Sequence, residues 1–69
     1  MQVELLTNGG YMGMDACIGK QFTAVNAGEH NSNDSVRISV EQLEMAGFLN
    51  DGCVNTSLYF YNHEVRIID

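Results

Sequence analysis

The sequence predicts a β-rich α+β fold: a small antiparallel sheet of about five strands, an SH3-like or other partly open barrel, with one short helix over about residues 40–47. Three observations carry that prediction. Apolar and polar residues alternate in several short runs separated by turn-forming residues. A single segment has both a helix start signal and a helix stop signal. Proline is absent, so nothing forbids continuous strand pairing. An open sheet with the helix covering one face is the alternative architecture. At 69 residues the chain makes one domain, 1–69. A chain of this length buries only about 60 % of its unfolded surface, so its stability margin is thin.

Val3-Glu4-Leu5-Leu6 reads as the first strand. The segment Thr7 to Asp15 follows, with Gly9, Gly10 and Gly13 marking irregular backbone. Tyr11, Met12 and Met14 make this loop unusually apolar. It either folds back over the core or stands out as an adaptable contact. Lys20 to Val25 is the second strand, and Ser35-Val36-Arg37-Ile38 the third. The turn-rich segment Ala27 to Asp34 joins them as a hairpin with a long polar loop.

Ser39 is a good N-cap, and Gln42 three residues on completes a capping box. Ile38 and Leu43 have the spacing of a hydrophobic staple. Gly47 is the natural stop, with Phe48 and Leu49 packing beyond it and Asn50-Asp51-Gly52 forming a turn. The last third reads as a hairpin, Ser57 to Tyr61 and Glu64 to Ile68, turning at Asn62-His63. That register sets Phe60 opposite Val65 and Leu58 opposite Ile67 on a core face. The other face then pairs Tyr61 with Glu64 and Tyr59 with Arg66.

Nine acidic residues face only Lys20, Arg37 and Arg66, for a formal charge of −6. Nucleic-acid binding rests on Lys and Arg displacing counterions from phosphates, so three scattered cations exclude it as a direct function. Attraction to an anionic membrane fails for the same reason. A basic protein partner is permitted, and its approach would be electrostatically steered. The plain alternative is that the charge only keeps a small protein soluble. Met1-Gln2-Val3-Glu4 lacks a basic n-region and a long apolar run, so the expected location is a reducing cytoplasm, with Cys17 and Cys53 as free thiols.

No catalytic or metal constellation emerges. A phosphate loop fails on spacing, because five residues, not four, separate Gly13 from Gly19-Lys20, and Gln21 stands where Ser or Thr holds magnesium. His30, His63, Cys17 and Cys53 lack the close pairs of zinc sites. The expectation is a binding protein without cofactor, not an enzyme. Tyr59, Tyr61 and Arg66 form the candidate contact cluster, since Tyr and Arg are enriched among binding hot spots. The same face is equally a second packed surface. Glu29, Asp34, Glu41 and Glu44 form a candidate acidic patch, against the simpler reading of a solvated helix face.

The small size, the acidity, the opening Val3-Glu4-Leu5-Leu6-Thr7-Asn8-Gly9-Gly10-Tyr11 and the closing Leu58 to Val65 together resemble the acidic accessory proteins of tailed bacteriophages. The resemblance is one of style over the whole chain and brings no site motif, so it assigns no functional residue. It implies a host-takeover or anti-defence role in a bacterial host: inhibition or modulation of a basic nucleic-acid-processing enzyme. The second expectation is an assembly protein, a homodimer or larger homo-oligomer joined through its C-terminal hairpin, whose last strand would be a sheet edge.

Overall fold

The computed structural model describes residues 1–27, 35–50 and 56–68. Five strands form one antiparallel sheet: β1 Gln2–Leu5, β2 Gln21–Asn26, β3 Ser35–Ser39, β4 Ser57–Tyr61 and β5 Val65–Ile67. Helix α1, Val40–Met45, lies between β3 and β4. Short 3-10 turns at Asp15–Cys17 and Asn62–Glu64 precede β2 and β5. The spatial order is β4-β3-β2-β1-β5. A β-rich α+β fold with a five-stranded antiparallel sheet and one short helix is thus what the chain adopts.

β2 is the corner of this sheet. Its first half pairs with β1, Glu4 opposite Gln21 and Val3 opposite Phe22. Its second half pairs with β3, Ala24 opposite Ile38 and Asn26 opposite Val36. Strand alternation then turns Phe22, Ala24, Val36, Ile38, Leu58 and Phe60 inward, where all are buried. Val3, Leu5 and Val65 complete the strand side of the core. Each Val, Leu, Ile or Phe side chain among them, fully buried, contributes about 1.5–3 kcal/mol of transfer free energy.

The closing hairpin expected from the sequence does not form. β4 pairs with β3, placing Phe60 opposite Val36 and Leu58 opposite Ile38. β5 pairs with β1, placing Val65 opposite Leu5 and Ile67 opposite Val3. A two-residue hairpin turn of type I′ requires positive φ at both central residues. Among the described residues no non-glycine residue has one. Asn62–Glu64 instead winds into a 3-10 turn that carries the chain from one edge of the sheet to the other.

The helix ends as expected and begins differently. At its C-terminus Phe48 N–H donates to the Leu43 carbonyl at 2.9 Å and Gly47 N–H to the Glu44 carbonyl at 3.0 Å. With Gly47 at φ 115° this is a Schellman motif, and Phe48 and Leu43 are both in the core. Leu49 is exposed instead of packing beyond the stop. At the N-terminus Ser39 holds the N-cap position, but its side chain bonds no backbone N–H. Its hydroxyl accepts from Gln42 Nε2 at 3.1 Å.

Gln42 has a different task. Its Oε1 accepts from Thr23 N–H and its Nε2 donates to the Thr23 carbonyl, both at 2.8 Å. β3 leaves the sheet at Ser39, and the Gln42 amide stands in for the next strand residue against β2. A cap is therefore exchanged for a side-chain rung of the ladder.

Replacing Gln42 by Ala removes both bonds at once. Unfolding in urea is expected to show a loss of about 1–2 kcal/mol. Gln42→Glu keeps the acceptor, cannot donate to the Thr23 carbonyl, and is expected to recover less than half of that loss.

Candidate functional site

Tyr59 and Tyr61 project from the outer face of β4, opposite Arg37 and Ser35 of β3. Both are exposed. Arg66 is not with them. It lies on β5 opposite Glu4 of β1 and is ion-paired to that carboxylate, with Nε 3.1 Å from Glu4 Oε1. The expected Tyr–Arg cluster is therefore corrected: β4 and β5 occupy opposite edges, and Arg37 is the cation that faces Tyr59. Tyr61 is also not paired across a ladder with Glu64, which belongs to the 3-10 turn.

The tyrosines instead join the glycine loop. Asn8 shapes that loop, its Oδ1 accepting from Gly10 N–H at 2.8 Å and its carbonyl from Tyr11 N–H at 3.0 Å. Gly9 lies against the Phe60 ring with φ 64°. A Cβ there would fall 2.7 Å from that ring, so only glycine fits. Tyr11 then meets Phe60 edge-to-face, centroids 5.5 Å apart, and its hydroxyl donates to the Tyr59 carbonyl at 2.9 Å. Met14 is fully buried, whereas Met12 is 92 % exposed. The loop thus does both things its composition allows: one part covers the core and one part reaches solvent.

These residues enclose an open cleft of about 410 Å³, lined by Gly9, Tyr11, Ser35, Tyr59, Phe60, Tyr61 and Glu64. Glu64 is its carboxylate. Glu64 Oε1 accepts from Tyr61 N–H at 2.9 Å, which fixes the orientation of the group. Tyr61 is held parallel to the His63 ring, centroids 5.6 Å apart. Burial raises the Tyr11 pKa above the ordinary tyrosine value, and the charge of Glu64 adds to the rise.

Two of these contacts fall on the β4 edge. Tyr11 occupies the Tyr59 carbonyl and Glu64 occupies the Tyr61 N–H. Both are backbone groups directed away from β3, the kind an added strand uses.

The acidic patch resolves only in part. Glu41 and Glu44 are exposed on α1, Glu44 accepting from Asn50 Nδ2 at 3.0 Å, and neither lines the tyrosine cleft. Glu29 and Asp34 lie outside the described residues, as do His30 and Cys53. Cys17 is buried, its Sγ 3.4 Å from the Leu43 carbonyl, and burial pushes its thiol up, against a smaller pull from Lys20. That is a packed thiol without nucleophile activation. Among the described residues no group of three or more His, Cys, Asp or Glu is placed to hold a metal, and no helix is long and apolar enough to cross a membrane.

Of the cleft residues only Tyr59 and Tyr61 were expected at a site; Gly9, Tyr11, Ser35, Phe60 and Glu64 were not. The aromatic residue amid three glycines was the available signal for Tyr11. Comparison with protein-family models, curated proteins and solved structures finds no match to this chain.

The Tyr11 hydroxyl can donate to Tyr59 only while protonated. Its folded-state pKa lies above the unfolded value of about 10, so its contribution is complete below that pH and is lost as pH rises through the folded value. Tyr11→Phe is expected to cost about 1 kcal/mol at neutral pH. Thermal melts from pH 8 upward should show the variant lacking this part of the wild-type alkaline loss.

Proposed function

We propose that this protein is a small acidic protein-binding module that inhibits or modulates a basic partner stoichiometrically, with the tyrosine cleft as its contact. A nucleic-acid-processing enzyme of a bacterial host is the partner class that fits best, since its basic groove attracts a chain of net charge −6. The resemblance to acidic accessory proteins of tailed bacteriophages points the same way.

One observation carries the reading: a built cleft whose aromatic walls are already held in place. Tyr11 is tied to Phe60 and Tyr59, and Glu64 is tied to Tyr61. Tyrosines presented this way bury area at small entropic cost, which is the character of a hot spot. Tyr11 and Glu64 are both anchored to β4, so the surface is organised before any partner arrives.

The assembly reading has less support. The C-terminal hairpin it relied on does not form, although β5 does stand at an edge of the sheet as that reading expected; the other edge, β4, carries side-chain blocks at Tyr59 and Tyr61. A second copy seated in the cleft would still appear in the test below.

Affinity capture from bacterial lysate, at low and moderate salt, is expected to retain one nucleic-acid-processing enzyme, whose activity falls to zero near one equivalent of added protein. Tyr59→Ala with Tyr61→Ala should fold normally by circular dichroism and weaken that complex at least about 30-fold. The association rate should fall about tenfold between 0.05 and 0.5 M salt. Capture of untagged copies alone, with no inhibition, would contradict the proposal.

A further inference from the structure

We infer that the cleft is an arginine-recognition site: it seats one guanidinium of the partner between the tyrosines and the Glu64 carboxylate. The inference rests on the protein-binding reading and names the side chain that the cleft selects.

Three features of the cleft converge on that group. The first is its aromatic lining. Tyr11, Tyr59 and Tyr61 bring three electron-rich rings to one opening, and a cation is attracted to the face of such a ring. The second is a carboxylate aimed by the backbone. Tyr61 N–H binds Glu64 Oε1, leaving the second oxygen as an acceptor in a fixed position. Glu64 is half-buried and, among the described residues, is in no ion pair. The third is the deployment of the chain's own cations. Arg66 is committed to Glu4 of β1 and does not line the cleft. Arg37 faces Tyr59 from β3 and does not line the cleft, nor does Lys20. The described residues therefore supply the negative and aromatic parts of a cation site, and no Lys or Arg lines it.

Guanidinium fits this set better than ammonium. It is planar, stacks on aromatic faces and sheds water more readily, whereas the lysine ammonium is a compact and strongly hydrated charge. The volume of about 410 Å³ admits the side chain with part of its flanking backbone. A basic enzyme groove that binds phosphates is rich in arginine, which connects the side chain selected here with the partner class proposed above.

The test is an NMR titration of the full chain with the capped tripeptide Gly-Arg-Gly, its lysine analogue and its citrulline analogue, the last being a neutral isostere. The arginine peptide is expected to shift the amide signals of Tyr11, Tyr59, Tyr61 and Glu64 saturably, in the millimolar range. The lysine peptide should bind several-fold more weakly, and the citrulline peptide should give no saturable shift. Glu64→Gln removes the charge but keeps an oxygen for Tyr61 N–H, so it should fold as the wild type and weaken the arginine peptide about fivefold. Equal binding of the citrulline peptide, equal or tighter binding of the lysine peptide, or shifts confined to Glu41 and Glu44 would overturn the inference. Partner capture separates the two levels. Capture lost in the tyrosine double variant but untouched by Glu64→Gln overturns arginine recognition and leaves the binding module. Capture untouched by both overturns both.

Discussion

The turn Asn62–Glu64 joins strands at opposite edges of the sheet, and most of this structure follows from that constraint. In a flat sheet, β4 and β5 would lie about 19 Å apart, because neighbouring strands are spaced about 4.8 Å. A three-residue 3-10 turn advances only about 2 Å per residue. The sheet must therefore curl until its edges approach one another. β2 makes this feasible by giving its first half to β1 and its second half to β3. The curl encloses Phe60, Leu5, Val3 and Ile38, all of them almost fully buried. For 69 residues this is an economical way to enclose a core.

The same curl makes the cleft. It brings the glycine loop after β1 to the outer rim of β4, although the two are 48 residues apart at the Tyr11–Tyr59 contact. Gly9 allows the approach to Phe60, Tyr11 closes it, and Glu64 ties the turn to the end of β4. Fold closure and the candidate site thus share residues. The aromatic surface is fixed by the contacts that hold the curled sheet, and the Tyr59 carbonyl and Tyr61 N–H are satisfied in the same act.

The element order was legible in the sequence because it rests on local signals. Alternation marked the strands, and Gly47 with Phe48 marked the helix end through a motif complete within six residues. The pairing of the last two strands was not legible. Asn62-His63 between two alternating runs has the look of a hairpin turn, and Leu58, Phe60 and Val65 face inward under either arrangement, so patterning cannot separate the two; Ile67, expected on the core face, is 50 % exposed. The choice was made by long-range competition: pairing with β3 over five positions and with β1 over three gives eight ladder positions in place of the five of the hairpin. That error moved Arg66 into the tyrosine cluster and kept Tyr11 out of it. Gln42 shows the same limit on a smaller scale. Its spacing from Ser39 suits a capping box, yet Thr23, distant in sequence, offered both a donor and an acceptor. Tyr59 and Tyr61 were found because exposure of alternate residues in a strand is itself a local property.

The most direct measurement is a set of interstrand nuclear Overhauser contacts on the wild-type chain in solution. Closure across the sheet predicts contacts between β3 and β4 at Arg37–Tyr59, between β1 and β5 at Glu4–Arg66, and between the Tyr11 and Phe60 rings. Cross-strand contacts of Phe60 with Val65 and of Leu58 with Ile67, in place of these, would restore the terminal hairpin and contradict both the curled sheet and the cleft built on it.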